Sequence, residues 1–164
     1  MIVPAAERSF EKGLASLRTG EALEAMAYFE AALRQHRATT QAQPHMKYQS
    51  FFGLCMARLK GNRKKAMRLC VEAADAEFYN PDVFLNLGRV ALMTGDRRSA
   101  YHAFRRGLYL DHRHRALRLE LRHMGVRKRP LFSFLQRTSA LNRAAGRLRR
   151  SNHGGAKTVV SRPS

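Results

Sequence analysis

The sequence predicts an all-α chain of three helix-turn-helix repeats, stacked as a helical-repeat solenoid and closed by a C-terminal capping helix. Two observations lead there. Gly20, Gly61 and Gly95 are each followed by an alanine five residues on (Ala25, Ala66, Ala100), by Phe29, Cys70 and Phe104 nine on, and by Ala32, Ala73 and Gly107 twelve on. Gly61 and Gly95 are 34 residues apart and Gly20 and Gly61 are 41 apart, and a period of this size marks a stacked repeat architecture.

Each copy reads as two helices around a glycine turn. Copy one runs ERSFEKGLASLR, TGE, ALEAMAYFEAALRQH; copy two KYQSFFGLCMARLK, GN, RKKAMRLCVEAADAE; copy three PDVFLNLGRVALM, TGD, RRSAYHAFRRGLYL. Apolar residues recur three and four apart in all six segments, as one helix face requires. Gly20, Gly61 and Gly95 are expected to end the first helix of each pair in the left-handed conformation. Seven residues earlier stand Gly13, Leu54 and Gly88, the column expected at the tight crossing of the two helices. The extra residues between copies one and two fall in RATTQAQP, a polar loop ending at Pro44. After copy three, DHRHRALRLELRHMG keeps the helical period through Ala116, Leu117, Leu119, Leu121 and Met124. It is expected to cover the exposed face of the last repeat.

This pattern resembles the tetratricopeptide repeat (TPR) family, as a small bacterial-type member with a basic C-terminal extension. The residues that carry it are Gly13, Gly20, Ala25, Phe29 and Ala32; Gly61, Ala66 and Ala73; and Gly88, Gly95, Ala100 and Phe104, over roughly Ala5 to Leu110. The resemblance implies a right-handed solenoid with repeats at about 6–38, 47–79 and 81–112 and a capping helix at about 113–124. Together these form a domain over 5–124, followed by a basic extension over 125–164.

Charge separates the two parts. The chain carries a formal net charge of +19, and residues 111–164 hold fourteen lysines and arginines against two acids. Nothing in the sequence is long and apolar enough to span a membrane, and the start MIVPAAERSFEKG does not read as a secretory signal, so a cytoplasmic protein is expected. Cys55 and Cys70 occupy apolar slots and read as reduced core or groove residues. In the extension, Arg127, Lys128 and Arg129 precede Pro130, and Leu131, Phe132, Phe134 and Leu135 form an apolar patch. Ser139 is placed to cap a short helix bearing Arg143, Arg147, Arg149 and Arg150, and the residues from Ser151 onward read as disordered.

The sequence does not read as an enzyme. Its seven histidines are scattered, and the spacings of the common metal, nucleotide and hydrolase motifs are absent. No catalytic, cofactor-binding or metal site is expected. What the resemblance implies instead is a concave groove lined by the first helix of each repeat: Phe10, Leu14 and Leu17; Tyr48, Phe51, Cys55 and Arg58; Leu85, Arg89 and Met93, with Asp82 beside them. An apolar trough with two arginines suits a peptide or helix, acidic for preference, and so a non-catalytic scaffold or adaptor. Some members grip a partner's C-terminal carboxylate. Phe10, Leu14, Phe52, Asp82 and Asn86 stand at the corresponding places, of which only Asn86 fits, which argues against that clamp here. The alternative reading is a binder of anionic surfaces, lipid or RNA, through the arginine-rich extension. Self-association and a membrane surface are further partners left open, with nucleic acid ranked below them. The patch Leu131–Leu135 is itself expected to pack on the repeats.

Overall fold

Proline, asparagine or aspartate starts helices at residues 4, 62, 80–81 and 96, and a left-handed residue follows the helices that end near residues 19, 58, 93 and 123. The computed structural model describes residues 3–39 and 45–125. In order, the elements are α1 (Pro4–Thr19), α2 (Ala22–Thr39), α3 (Met46–Arg58), α4 (Arg63–Ala76), α5 (Pro81–Met93), α6 (Arg97–Leu110) and α7 (Arg115–His123), with no strand among the described residues. Pro4 and Pro81 open α1 and α5, where a missing N–H costs nothing. The side chains of Asn62, Asn80 and Asp96 accept from the backbone N–H groups of Lys65, Asp82 and Ser99 and so cap α4, α5 and α6. Helix α2 runs three residues into the segment expected to be loop, to Thr39. The expected features of residues 126–164, the patch Leu131–Leu135 included, lie outside the described residues.

Within each pair the helices meet where one side chain is missing. A Cβ on Gly13 would stand 2.6 Å from the Phe29 ring, and one on Gly88 would overlap the Phe104 ring. Phe29 and Phe104 are fully buried. The middle pair uses a smaller plug: a Cβ on Gly53 would come 3.1 Å from both the Cys70 sulfur and the Ala66 carbonyl oxygen.

That residue corrects the register of copy two. Counting back from Gly61 assigns Leu54 to the crossing, whereas the structure puts Gly53 there. The turn explains why. At the end of α1 the Glu21 N–H donates to the Ser16 carbonyl (2.9 Å) across Gly20, at φ 92°, and at the end of α5 the Asp96 N–H donates to the Ala91 carbonyl (2.9 Å) across Gly95, at φ 85°. At the end of α3 the equivalent bond runs from the Gly61 N–H to the Met56 carbonyl (3.1 Å), and the left-handed residue is Lys60, at φ 56°. Gly61 is one residue past the stop, in a turn one residue longer than the other two. A side chain at Lys60 carries the steric penalty of the left-handed region.

The pairs stack through their first helices. Phe10 of α1 meets Tyr48 and Phe51 of α3 at ring centroid distances of 5.1 and 5.3 Å. Helix α3 packs directly on α5, while α2 with α4, and α4 with α6, are not among the closely packed pairs. Helices α3 and α5 pack closely, α1 reaches α3 through the Phe10, Tyr48 and Phe51 rings, and these first helices form the inner wall. The first helix of copy one differs from its counterparts on this face. Tyr48 and Cys55 of α3, and Val83 and Val90 of α5, are buried, while the matching Arg8 and Ala15 of α1 are exposed. At the other end Leu117 of α7 is fully buried, and its side chain would lie 2.7 Å from a Cβ on Gly107.

Two substitutions test this packing. Lys60→Gly removes the left-handed penalty and is expected to raise stability by about 1 kcal/mol in urea unfolding. Gly88→Ala forces the Phe104 ring out of its seat and is expected to lower stability by about 1–3 kcal/mol.

Candidate peptide-binding groove

The inner wall is built by the residues that α1, α3 and α5 turn away from their partners. Leu14 and Leu17 of α1 are half-buried against the first core cluster, and Leu17 also packs against the cluster that holds Leu54 and Ala57 of α3. Met93 of α5 packs on that second cluster too, and Phe51 is half-buried over the first. Arg58 is exposed at the end of α3 and makes no ion pair among the described residues. These five side chains give an apolar strip with a cation at one end.

The other residues expected to line the groove are placed elsewhere. Phe10, Tyr48, Cys55 and Leu85 are buried in the core. For Tyr48 and Cys55 the cause is the one-residue register shift of copy two. A step of one residue turns a side chain by about 100° around a helix, here from the wall into the junction with the preceding pair. Ser50, Leu54 and Ala57 stand at the matching places instead. Ser50 is fully buried, its hydroxyl accepting from Asn86 Nδ2 at 3.2 Å and its carbonyl from the Cys70 thiol at 3.5 Å. Arg89 is half-buried and committed, its Nε donating to Glu120 Oε1 of α7 at 2.7 Å. The expected contact residues Arg127, Lys128, Arg129, Leu131, Phe132, Phe134, Leu135, Arg143, Arg147, Arg149 and Arg150 lie outside the described residues.

Carboxylates along the helix starts are likewise engaged. Glu7 accepts from Lys47 Nζ and from the Tyr48 hydroxyl, each at 2.7 Å, while Lys47 lies over the Phe10 ring at 4.8 Å. Burial pushes the Glu7 carboxyl up, but these donors outweigh it and hold the group below its usual range. Burial, with Glu7 as acceptor, raises the Tyr48 hydroxyl above its usual range, so it stays a donor. Glu77 takes the Lys47 N–H (3.2 Å) and Asn80 Nδ2 (2.8 Å), and Asp82 faces His114 Nε2 at 3.2 Å. Lys47, Glu77 and Glu120 are the residues that sequence spacing missed, because each acts through a partner about 30–40 residues away, beyond any local pattern.

No group of three or more His, Cys, Asp or Glu among the described residues is arranged to hold a metal ion, and no described helix is long and apolar enough to cross a membrane. Cys55 and Cys70 are free thiols, buried, and pushed up to about 11 and about 12 by that burial.

Comparison with known proteins gives the architecture its name. No family model and no curated protein matches the sequence. Among solved structures, the TPR domain of Arabidopsis OM64 superposes with a TM-score of 0.57 at 18% identity, covering 74% of this chain and 94% of that one. The fold is that of a TPR domain. The first TPR domain of Spaghetti, solved bound to the HSP90 peptide SRMEEVD, matches with a TM-score of 0.56 at 17% identity, over 74% of this chain and 90% of that one. PcrH, known from Pseudomonas aeruginosa and here in complex with the chaperone binding region of PopB, matches with a TM-score of 0.55 at 18% identity, over 76% and 97%. Within this TPR fold Asn86, the one residue suited to a carboxylate clamp, is fully buried and bonded to Ser50.

The two thiols give a direct reading of how closed the TPR core is. At pH 8, both are expected to react with iodoacetamide about 100-fold or more slowly in the native protein than in urea, as their raised pKa values and burial require. Rapid labelling of either would place it on an open wall.

Proposed function

We propose that the chain is a non-catalytic interaction scaffold or adaptor that takes a peptide or helix from a partner protein onto the inner wall of its TPR repeats. The observation that carries this reading is the strip of half-exposed Leu14, Leu17, Phe51 and Met93, drawn from the first helices of three successive repeats, with the exposed Arg58 beside it. Apolar side chains supply the affinity of such a surface and a single cation orients an acidic partner. Glu7 and Arg89, by contrast, are engaged with Lys47 and Glu120. The peptide-bound states of Spaghetti and PcrH support the same use of the fold.

A second reading rests on charge. The fourteen lysines and arginines against two acids in residues 111–164 suit a polyanion such as lipid headgroups or RNA. One pull-down series from the protein's own cells separates the two. A partner taken by the wall is expected to remain bound in about 0.5 M salt, where the Debye length is only a few ångströms, and after Arg127, Lys128 and Arg129 are changed to Gln. The pair Leu17→Glu and Met93→Glu should cut its recovery about 10-fold or more, with the circular dichroism unchanged. Recovery that ignores the wall variant but is abolished by salt or by the Gln substitutions would favour the polyanion reading.

A further inference from the structure

On another face of α5 the wider spacing of α4 and α6 leaves an open cleft of about 500 Å³. Its walls are Met67 and Val71 of α4 and Ala103 of α6, and its floor is Phe84 and Leu87 of α5. Val71 is 40% exposed. The volume lies within the range of sites that seat a few large side chains.

This apolar lining is not a requirement of the repeat. At the preceding junction, between α2 and α4, Glu30 stands where Val71 stands here and Gln49 where Phe84 stands. Gln49 is bonded to α4, its Nε2 donating to the Glu72 carboxylate at 2.8 Å and lying 3.4 Å from the Leu69 carbonyl. The second junction therefore carries apolar side chains at two places where the first carries polar ones, while Met26, Phe52 and Leu69 keep the other three places apolar in both.

Charge selects the occupant. Residues 63–76 and 97–110, the helices that wall the cleft, hold eight lysines and arginines against two acids. One of those acids, Glu72, is paired with Arg68 at 3.6 Å. Asp96, the one acid lining the cleft, is turned to the Ser99 N–H at 2.9 Å as the cap of α6, while Arg106 and His102 line the same cleft. Both walls are helix faces presenting residues three and four apart, the ridge spacing into which a third helix packs. We propose that the α4–α6 cleft is a second docking site, and that its occupant is a short acidic amphipathic helix of a partner protein. Its apolar stripe would lie on Val71, Phe84 and Leu87 and its carboxylates along the flanking arginines. The site does not depend on the inner wall.

The test is a titration of the full chain, with labelled methyl groups, by a synthetic peptide of about 14 residues. The peptide carries leucine at alternating three- and four-residue spacing and glutamate elsewhere; its matched control carries lysine in place of glutamate. The glutamate peptide is expected to give saturable shifts at Met67, Val71, Leu87 and Ala103, and the lysine peptide none. Val71→Glu and Arg106→Glu should each weaken binding about 10-fold or more, and Leu17→Glu, on the inner wall, should leave it unchanged. Absent or non-saturable shifts at the cleft, equal affinity for the lysine peptide, or loss of binding in Leu17→Glu alone would overturn the proposal. So would cleft shifts that develop on concentrating the protein without peptide, which would make a second copy the occupant.

Discussion

One steric fact organises this molecule: in each helix pair a glycine of the first helix lets a core side chain of the second lie against bare backbone. Gly13 receives Phe29, Gly53 receives Cys70 and Gly88 receives Phe104. The ring or sulfur fills the volume that a β-carbon would take, so the two helices of a pair approach closely and at a fixed crossing. Burying a phenylalanine this completely is worth roughly 2–3 kcal/mol, a large share of what holds one helix pair together. Ala25, Ala66 and Ala100 are fully buried at the same crossings.

Fixed pairs then determine the surfaces. The first helices pack on one another through Phe10, Tyr48 and Phe51 and through the contact of α3 with α5. The second helices are held apart, which opens clefts on their side. The inner wall keeps Leu14, Leu17, Phe51 and Met93 partly exposed, while Glu7 is bonded to Lys47 and Arg89 to Glu120 within the protein. Two surfaces of different chemistry result: an apolar strip ending in one arginine, and a basic-walled apolar cleft. The two thiols lie on neither surface, being buried and held protonated.

The fold was legible because its constraint is written in residue size. Gly13, Gly88, Ala25, Ala66, Ala100, Phe29 and Phe104 stand at fixed spacings, and each spacing is a contact between helices. The reading failed by one residue in copy two, where Gly61 follows the left-handed Lys60 and a lysine in that role has no sequence signature. One residue was enough to move Tyr48 and Cys55 from the wall to the core. Gly53 was the available signal, since it lies at the same place in its helix as Gly13 and Gly88 once the turn is allowed to lengthen. The pairing of Arg89 with Glu120 and the α4–α6 cleft were not legible. The first joins residues 31 positions apart, and the second is a gap, whose size depends on how far two helices are held from each other.

A double-mutant cycle on Gly88 and Phe104 tests the organising contact most directly. If the glycine exists to seat the ring, Phe104→Leu should relieve the damage done by Gly88→Ala. The two substitutions together would then cost at least about 1 kcal/mol less than the sum of each alone in urea unfolding. Strict additivity would mean that the β-carbon and the ring do not compete for the same space, and that something else sets the crossing of these helices.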